Sequence, residues 1–176
     1  MIIRRCETKD IPEVLRLTED SYAPYSDSVR GIVVPSYSRE ELETLMHSGQ
    51  SDVLVAEDSG IMVGMSAGAE FGPCAYHVKM LFVSGQNQRR RIGSKLLQSM
   101  ERRAKERGFS LLTLNCLDWA EWSMKFYLKH GYREYNREDE LICPDLEKQA
   151  DFLREIGRLN NNRKHLLWKT VNDQRR

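Results

Sequence analysis

The most constraining feature of the sequence is a strand pattern that runs through a basic turn into an amphipathic helix. Residues 75–83 alternate well enough to form a strand, and residues 85–93 are polar and rich in arginine. Residues 94–107 then carry apolar side chains at helical spacing, and Gly108 ends that pattern. A strand that leads directly into such a helix is typical of a chain whose helices pack against a sheet.

The rest of the chain repeats this alternation of strand and helix patterns. The predicted order is strand, two helices, three strands, helix, strand, helix, strand, helix and strand. This order predicts an α/β fold with a mixed sheet and helices on its faces. A length of 176 residues suits a single domain covering 1–176, with an additional helix near 144–159 before the last strand.

Three local signals fix element boundaries. Asp10, followed by Pro12, predicts the N-cap of a helix that runs to about Tyr22. Residues 38–41 read Ser-Arg-Glu-Glu, which is a capping-box pattern at the start of a second helix. Residues 58–60 read Asp-Ser-Gly between two β-rich runs and predict a hairpin.

Charge and cysteine content narrow the classes of function. The formal net charge of +1 gives no global signal for nucleic acid or a membrane as partner. The four cysteines lie far apart without metal-ligand spacing, so we expect reduced thiols, no metal site and a cytoplasmic location. No signal peptide or bilayer-spanning stretch is visible, so neither secretion nor membrane insertion is expected.

The basic turn between residues 85 and 93 has the chemistry of a pyrophosphate site. A loop that opens a helix directs backbone N–H groups to one point, and the helix dipole adds positive potential there. The arginines add charge, and Gly93 allows close approach of the backbone. The alternative is a solvated arginine cluster that serves solubility alone.

The sequence of this turn, Gln88 to Gly93, resembles the coenzyme A loop of the GNAT acetyltransferase superfamily, written [Gln/Arg]-x-x-Gly-x-[Gly/Ala]. Its first and last positions match, whereas Arg91 stands where the family usually has a glycine. The resemblance implies acetyl-CoA as cosubstrate and a mixed, mostly antiparallel central sheet with helices on both faces. It implies cofactor contacts from Leu81, Phe82, Val83, Gln88, Arg89, Arg90, Arg91, Ile92, Gly93, Ser94 and Lys95.

A second segment, residues 123–132, resembles the superfamily's helix that ends in Lys-x-Gly-[Phe/Tyr]. The resemblance implies that Tyr127 protonates the departing coenzyme A thiolate, and the alternative is a half-buried core tyrosine. Ala120 stands where the family usually has an asparagine. With the opening strand and first helix, the resemblance covers about residues 2–135.

The resemblance also implies an amine acceptor that attacks the thioester. The backbone N–H of Phe82 or Val83 would polarise the thioester carbonyl. His77 is a candidate base and Asn115 would position the amine or a water, although both have structural alternatives as strand residues. Glu70 is a second candidate base and a candidate substrate-binding residue, and the alternative is an exposed carboxylate at a strand end.

The acceptor pocket is expected to involve residues 23–36, with Tyr22 and Tyr25 supplying aromatic surface, or these tyrosines only pack the loop. The helix near 144–159 carries an apolar stripe that includes Leu146, Phe152, Leu153 and Ile156. It covers the acceptor site, forms a dimer contact or packs on its own domain. Dimers are common in the superfamily, which makes a homodimer an implied partner.

Three functions compete at this stage. The first is an N-acetyltransferase that acts on a primary amine of a small molecule or peptide. The second is a non-catalytic acyl-CoA-binding sensor on the same fold, which the departures at Arg91 and Ala120 keep open. The third, a nucleic-acid-binding module, is disfavoured because the basic segment lacks an aromatic stacking pattern.

Overall fold

The structure is a computed structural model that describes residues 1–26, 37–160 and 164–171. Within these residues the chain forms seven strands and five α-helices. The strands are β1 (Ile2–Arg5), β2 (Ser51–Asp58), β3 (Ile61–Phe71), β4 (Ala75–Val83), β5 (Leu111–Leu117), β6 (Arg133–Glu134) and β7 (Lys164–Thr170). The helices are α1 (Ile11–Asp20), α2 (Arg39–His47), α3 (Ile92–Glu106), α4 (Glu121–Lys129) and α5 (Pro144–Asn160).

The strands form one sheet in the order β1-β2-β3-β4-β5-β7-β6. Strand β2 pairs antiparallel with β1 and β3, and β7 pairs antiparallel with β5 and β6. Strand β4 pairs in parallel with β5, from Ala75 opposite Leu111 to Val78 opposite Leu114. The predicted mixed, mostly antiparallel sheet is therefore confirmed.

Two of the predicted boundary signals form as expected. The Ser38 hydroxyl accepts from the Glu41 N–H at 3.1 Å, and the Glu41 carboxylate accepts from the Ser38 N–H at 2.7 Å. This reciprocal pair closes the capping box at the start of α2. Ser59 and Gly60 connect β2 and β3 with φ values of 52° and 80°. Positive φ at both central residues is what a two-residue type I′ hairpin turn requires.

The predicted N-cap role of Asp10 is wrong in its chemistry. Asp10 directly precedes α1, but its backbone is already helical at φ −80° and its side chain makes no capping bond to the helix. Its carboxylate instead accepts from the Glu7 N–H at 2.8 Å and from the Arg4 guanidinium at 2.6 Å. The buried carboxylate thus ties β1 to the turn before α1, and α1 ends at Asp20.

The chain divides into two compact units, Met1–Ala69 with Lys79–Met100, and Glu70–Val78 with Glu101–Arg176. In the first unit, Val55 of β2 belongs to a core cluster with residues of α1 and α2. Ala56, which points to the opposite face, clusters with Ile92 and Leu96 of α3. Helices therefore cover both faces of this part of the sheet, as predicted.

Gly64 of β3 lets α3 approach the sheet closely. A Cβ atom at Gly64 would lie 2.9 Å from Leu96 Cδ1, 3.0 Å from the Phe82 carbonyl oxygen and 3.1 Å from Ile92 Cγ2. Ile92 and Leu96 lie in the first two turns of α3. The missing side chain at Gly64 therefore lets the N-terminal part of this helix pack closely on β3.

We expect Gly64→Val to lower the free energy of unfolding by about 1–3 kcal/mol, because a buried side chain would force Leu96 and the strand backbone apart. Urea denaturation measures this change. Gly49→Ala is the matched control, since its Cβ would have no atom within 4 Å. Equal stability losses in the two variants would contradict the close packing of α3 on β3.

In the second unit, α5 packs on its own sheet. Leu146 lies in a cluster with Leu111 and Trp168, and Leu153 lies in a cluster with Leu166 of β7. Packing on its own domain is therefore the correct alternative for these two positions of the predicted apolar stripe. Phe152 is 55% exposed, and the side chain of Ile156 lies outside those that the structure describes.

The expectation of four reduced thiols is wrong for two of them. Cys74, which precedes β4, and Cys143, which precedes α5, form a disulfide across a sequence separation of 69 residues. Cys6 and Cys116 are free, as predicted, and burial raises the pKa of the Cys6 thiol to about 11. Among the described helices, none has both the length and the apolar character needed to cross a bilayer.

Candidate active site

The first compact unit contains the basic turn that connects β4 to α3. A 3₁₀ turn over Gly85–Asn87 follows β4, and α3 begins at Ile92, two residues earlier than predicted. The Lys95 N–H donates to the Arg91 carbonyl at 3.1 Å, which starts the helical hydrogen-bond ladder. The residues between the 3₁₀ turn and Ile92 therefore form the turn that the sequence predicted at the helix N-terminus.

The turn has an unusual backbone conformation at two arginines. Arg89 and Arg91 have φ values of 62° and 63°, in the left-handed region that L-residues adopt at a cost. Arg91 occupies the position where the GNAT pattern has a glycine, which adopts such a conformation readily. The chain thus keeps the loop shape with a side chain in place. Left-handed residues in such a turn help to form concave backbone N–H sites for anions.

We expect Arg91→Gly to raise the free energy of unfolding by about 1 kcal/mol, because glycine relieves the unfavourable φ of this residue. Arg91→Ala is the matched control, since alanine removes the same charge but keeps the conformational cost. Thermal unfolding of the two variants separates backbone from charge. A Tm of Arg91→Gly at or below that of Arg91→Ala would contradict the conformational account.

Gln88 fastens the turn to the end of α1. Its side-chain amide nitrogen donates to the Ser21 carbonyl at 2.8 Å and to the Val83 carbonyl at 3.2 Å. Its amide oxygen accepts from the Tyr25 hydroxyl at 2.8 Å. The side chain of this predicted cofactor residue is therefore engaged in shaping the turn.

Three further contacts, which the sequence did not reveal, hold the same turn. The Asp20 carboxylate accepts from the Gly85 N–H at 2.8 Å. The Arg90 guanidinium contacts the Asn87 amide oxygen and lies 3.3 Å from the Asp58 carboxylate in the β2–β3 turn. Arg89, Arg91 and Lys95 are exposed, whereas Ile92 is buried against β3. The backbone of the turn is therefore held by side-chain hydrogen bonds, while its cationic side chains are exposed to solvent.

Aromatic side chains surround the end of β4 in this unit. Tyr22 and Tyr37 each meet the Phe82 ring edge-on, with centroid separations of 6.1 and 5.9 Å. Burial raises the pKa of Tyr22 to about 12 and also raises the pKa of Tyr25. The predicted substrate residues Tyr22 and Tyr25 thus border the strand end and the turn. Residues 27–36 of the predicted pocket loop lie outside the described residues.

The second compact unit brings together two of the predicted catalytic residues. His77 of β4 and Thr113 of β5 are directly opposite in the parallel register, and Nδ1 of His77 lies 2.9 Å from the Thr113 hydroxyl. The Asn115 amide nitrogen lies 3.4 Å from Nε2 of His77. This pattern corresponds to an imidazole that carries its proton on Nδ1 and accepts at Nε2.

Thr113 is a site residue that the sequence analysis missed. It stands two positions before Asn115, so both side chains project from the same face of β5. That period of two is the signal that identifies it once Asn115 is chosen. The Asn115 amide oxygen is buried, and no described residue donates a hydrogen bond to it. A buried acceptor beside an imidazole suits an incoming N–H group.

Tyr127 lies near the end of α4 and is 7% exposed. Its ring meets Phe126 at 5.1 Å and Tyr132 at 5.8 Å between centroids, both edge-on. The hydroxyl of Tyr132 is buried without a hydrogen-bond partner among the described residues, and burial holds its pKa well above the usual value. The aromatic neighbours fix the Tyr127 ring. The Tyr132 N–H donates to the Tyr127 carbonyl at the end of α4, which also holds the Tyr127 backbone.

Glu70, the third predicted substrate residue, is paired within the second unit. Its carboxylate accepts from the Arg107 guanidinium at 2.9 Å. Ala120 is the N-cap residue of α4 and makes no side-chain cap. The position at which the family usually has an asparagine therefore offers only its backbone carbonyl, which accepts from the Ser123 and Met124 N–H groups.

The mixed sheet with its basic strand–turn–helix connection places the chain in the α/β class of folds. A family model of the acetyltransferase (GNAT) domain matches residues 24–141, about two thirds of the chain, and the chain belongs to this family. A comparison with curated proteins finds no match.

Solved structures share the fold. The chain is similar to the PaiA N-acetyltransferase of Thermoplasma acidophilum in complex with coenzyme A, at TM-score 0.73 and 15% identity, over 96% of this chain and 98% of that one. It is similar to a GNAT-family acetyltransferase of Staphylococcus aureus at TM-score 0.73 and 16% identity, over 97% and 99%. These two likenesses show the fold.

A third similar structure has a higher identity and a longer chain. N-acetylglutamate synthase of Neisseria gonorrhoeae, complexed with coenzyme A and N-acetyl-glutamate, is 26% identical at TM-score 0.70. The likeness covers 97% of this chain and 35% of that chain, so this protein spans about a third of the synthase.

Proposed function

We propose that the protein is an N-acetyltransferase that transfers the acetyl group of acetyl-CoA to a primary amine of a small molecule or peptide. The observation that carries the proposal is the anchored basic turn between β4 and α3, whose backbone is fixed by Gln88 and whose arginines are exposed. Family membership supports it, as do the coenzyme A complexes of the Thermoplasma and Neisseria proteins.

In this proposal the turn binds the pyrophosphate of acetyl-CoA. Backbone N–H groups at the start of α3 donate to the phosphate oxygens, and Arg89 and Arg91 add positive charge. Gln88 acts by positioning the turn, because its amide is engaged with Ser21, Val83 and Tyr25. Ile92 acts by packing α3 on Gly64, since its side chain is buried. Gly93, Ser94 and Lys95 complete the first turn of the helix.

In this proposal the thioester end of acetyl-CoA lies along the last residues of β4. We assign Leu81, Phe82 and Val83 to the pantetheine and thioester part of the cosubstrate, with the N–H of Phe82 or Val83 polarising the carbonyl. The parallel pairing of β4 with β5 ends at Val78, and β4 itself continues to Val83. The edge-on tyrosines hold the Phe82 side chain in place.

The acceptor amine is bound and deprotonated by residues of β4 and β5. Its N–H donates to the buried Asn115 amide oxygen, which no described residue satisfies. Nε2 of His77 takes the proton, because it accepts from the Asn115 amide nitrogen and is therefore the ring nitrogen without a proton, while Nδ1 donates to the Thr113 hydroxyl. From the family resemblance we also assign Tyr22 and Tyr25 to acceptor binding. Glu70, at the end of β3, is not a free carboxylate in this proposal, because it forms an ion pair with Arg107.

The chemical step is direct attack. The neutral amine nitrogen forms a bond to the thioester carbonyl carbon, and the tetrahedral intermediate then breaks its carbon–sulfur bond. Tyr127 donates its phenolic proton to the departing coenzyme A thiolate. The nitrogen loses a proton as it becomes an amide nitrogen, and a proton from solvent restores the Tyr127 phenol. The proton that His77 took from the ammonium form of the amine is released to solvent. The products are an amide and free coenzyme A, so the reaction balances without a metal or a redox partner.

We also propose that the whole chain acts as one GNAT domain, because the family match over 24–141 runs through both compact units. A homodimer remains a proposal that the family resemblance implies, and a cytoplasmic location remains a separate proposal. Neither nucleic acid nor a membrane is a proposed partner, in keeping with the net charge of +1.

Thiol release from acetyl-CoA in the presence of a panel of primary amines tests the function. We expect turnover with at least one amine, and we expect Asn115→Ala to raise the KM for that amine about tenfold, because one hydrogen bond to it is lost. The KM for acetyl-CoA should change little.

Asn136→Ala is the control, since Asn136 caps a 3₁₀ turn in the same unit. An absence of turnover with every amine, while acetyl-CoA still binds, would favour the acyl-CoA-binding sensor. An unchanged amine KM in Asn115→Ala would remove Asn115 from the acceptor site.

A further inference from the structure

A buried group of two cysteines and one aspartate lies where the β3–β4 turn meets the start of α5. The possible ligand atoms of Cys74, Cys143 and Asp145 all lie within 4.8 Å of one another. Cys143 and Asp145 are each 1% exposed, whereas Cys74 is half-buried. The group therefore has one accessible member and two enclosed ones. None of the three has a role in the proposed acetyl transfer.

The Asp145 carboxylate is enclosed by the turn that carries Cys74. A Cβ at Gly72, whose φ is +64°, would lie 2.3–2.5 Å from the carboxylate atoms, so only glycine allows this approach. The Cys74 N–H donates to one carboxylate oxygen at 3.1 Å, and the Cys74 sulfur lies 3.2 Å from the same oxygen. A disulfide sulfur has no proton to donate to that oxygen. A thiol or a thiolate-bound cation would satisfy it.

Two further observations favour a cation over a purely structural bridge. The Cα atoms of Cys74 and Cys143 are 6.9 Å apart, just above the range of about 4.4–6.8 Å that disulfides usually span. This spacing accommodates two sulfurs about 3.8 Å apart, as on tetrahedral zinc with Zn–S bonds of about 2.3 Å. One turn beyond Asp145 on α5, Gln149 is 3% exposed, and neither side-chain polar atom has a partner among the described residues.

We propose that the reduced protein binds one Zn²⁺ through the Cys74 and Cys143 thiolates and the Asp145 carboxylate. The fourth position belongs to a water or to the Gln149 amide oxygen. Two thiolates and a carboxylate match the ligand types that zinc prefers. The site ties α5 to the turn before β4, and the disulfide and the zinc complex are alternative states of the same link.

The interconversion balances as follows. Reduction by a phosphine breaks the sulfur–sulfur bond, gives each sulfur one proton and converts the phosphine and one water into a phosphine oxide. Zn²⁺ then displaces both thiol protons to solvent as the two Zn–S bonds form. Oxidation by a small disulfide such as oxidised glutathione reverses this: the Cys74–Cys143 bond forms, the reagent's sulfur–sulfur bond breaks to give two thiols with two protons from solvent, and Zn²⁺ is released because no thiolate remains to bind it.

The test titrates the full chain with Zn²⁺ against a chromophoric zinc indicator, after reduction by a phosphine and again after oxidation. We expect one equivalent bound by the reduced protein and none by the oxidised protein. Asp145→Asn should weaken binding at least tenfold, whereas a Cys6→Ser, Cys116→Ser variant should bind as the wild type does, since those thiols lie outside the site.

Cobalt substitution of the reduced wild type gives a readout that needs no variant. Two thiolate ligands produce an intense charge-transfer band in the near ultraviolet, together with the visible bands of tetrahedral Co²⁺. A reduced wild type that binds no stoichiometric Zn²⁺ overturns the proposal. So does a cobalt spectrum without the thiolate band, or unchanged affinity in Asp145→Asn.

Discussion

Tyr127→Phe is expected to lower kcat for acetyl transfer by roughly 100- to 10,000-fold, which is the usual contribution of a general acid. Phenylalanine keeps the ring that packs edge-on against Phe126 and Tyr132, and loses only the hydroxyl. The Kd for acetyl-CoA should therefore stay within a few-fold of the wild-type value. Steady-state thiol release and calorimetric binding measure the two quantities separately.

Tyr132→Phe is the matched control for this experiment. Its hydroxyl is also buried, it touches the same ring, and it has no hydrogen-bond partner among the described residues. Removing it should leave kcat unchanged, because its pKa is held high by burial and it has no place in the proton transfer. Equal losses of kcat in the two variants would show that the Tyr127 effect comes from packing. An unchanged kcat in Tyr127→Phe would remove the general-acid role.

The second large effect is expected in the basic turn. The double variant Arg90→Glu, Gly93→Asp should weaken acetyl-CoA binding by roughly 100-fold or more, since two new carboxylates at the turn would repel the pyrophosphate and weaken its bonds to the backbone N–H groups. Arg90→Glu also places a carboxylate beside Asp58 and loosens the turn. Gly93→Asp puts a negative charge in the first turn of α3, where the pyrophosphate is expected.

The control for charge alone is the double variant Arg16→Glu, Gly49→Asp. It makes the same change in net charge, on the exposed α1 side chain that pairs with Glu13 and at the glycine after α2. Its affinity for acetyl-CoA should remain close to that of the wild type. If both double variants lose affinity equally, the effect is one of overall charge and the turn is not the phosphate site.

The sequence was sufficient for several elements whose signals are local. The Ser38–Glu41 capping box and the Ser59-Gly60 turn each depend on residues within four positions, and both form as predicted. The strand–turn–helix around the arginines was also visible, because periodicity changes from two to about 3.6 across it. These elements, taken in order, sufficed to predict the class of fold.

Contacts between distant residues were not predictable in this way. Cys74 and Cys143 are 69 residues apart, and nothing in their spacing indicates that α5 brings them together. Gln88 was expected to touch the cofactor, but its partners Ser21 and Tyr25 lie more than sixty residues earlier in the chain. Asp10 had the sequence signature of an N-cap, and its tertiary pairing with Arg4 overrides that local preference.

The candidate site likewise combines residues that the sequence identified with contacts that only the fold reveals. His77 and Asn115 were chosen for their chemistry, and the parallel register that aligns His77 with Thr113 supplies the contact that orients the imidazole. The left-handed conformation of Arg91 follows from the loop's shape, and the residue type alone argues against it. Local pattern therefore selected residues, whereas pairing across the sheet determined their partners.

Calorimetric titration of the wild-type protein with acetyl-CoA tests the central claim most directly, with acetyl-pantetheine as the comparison because it lacks the pyrophosphate and the nucleotide. We expect one acetyl-CoA bound per chain with a micromolar Kd, and acetyl-pantetheine binding at least 100-fold more weakly. That result would support the β4–α3 turn as a pyrophosphate site. An absence of acetyl-CoA binding, or equal affinity for the two ligands, would contradict the proposed function.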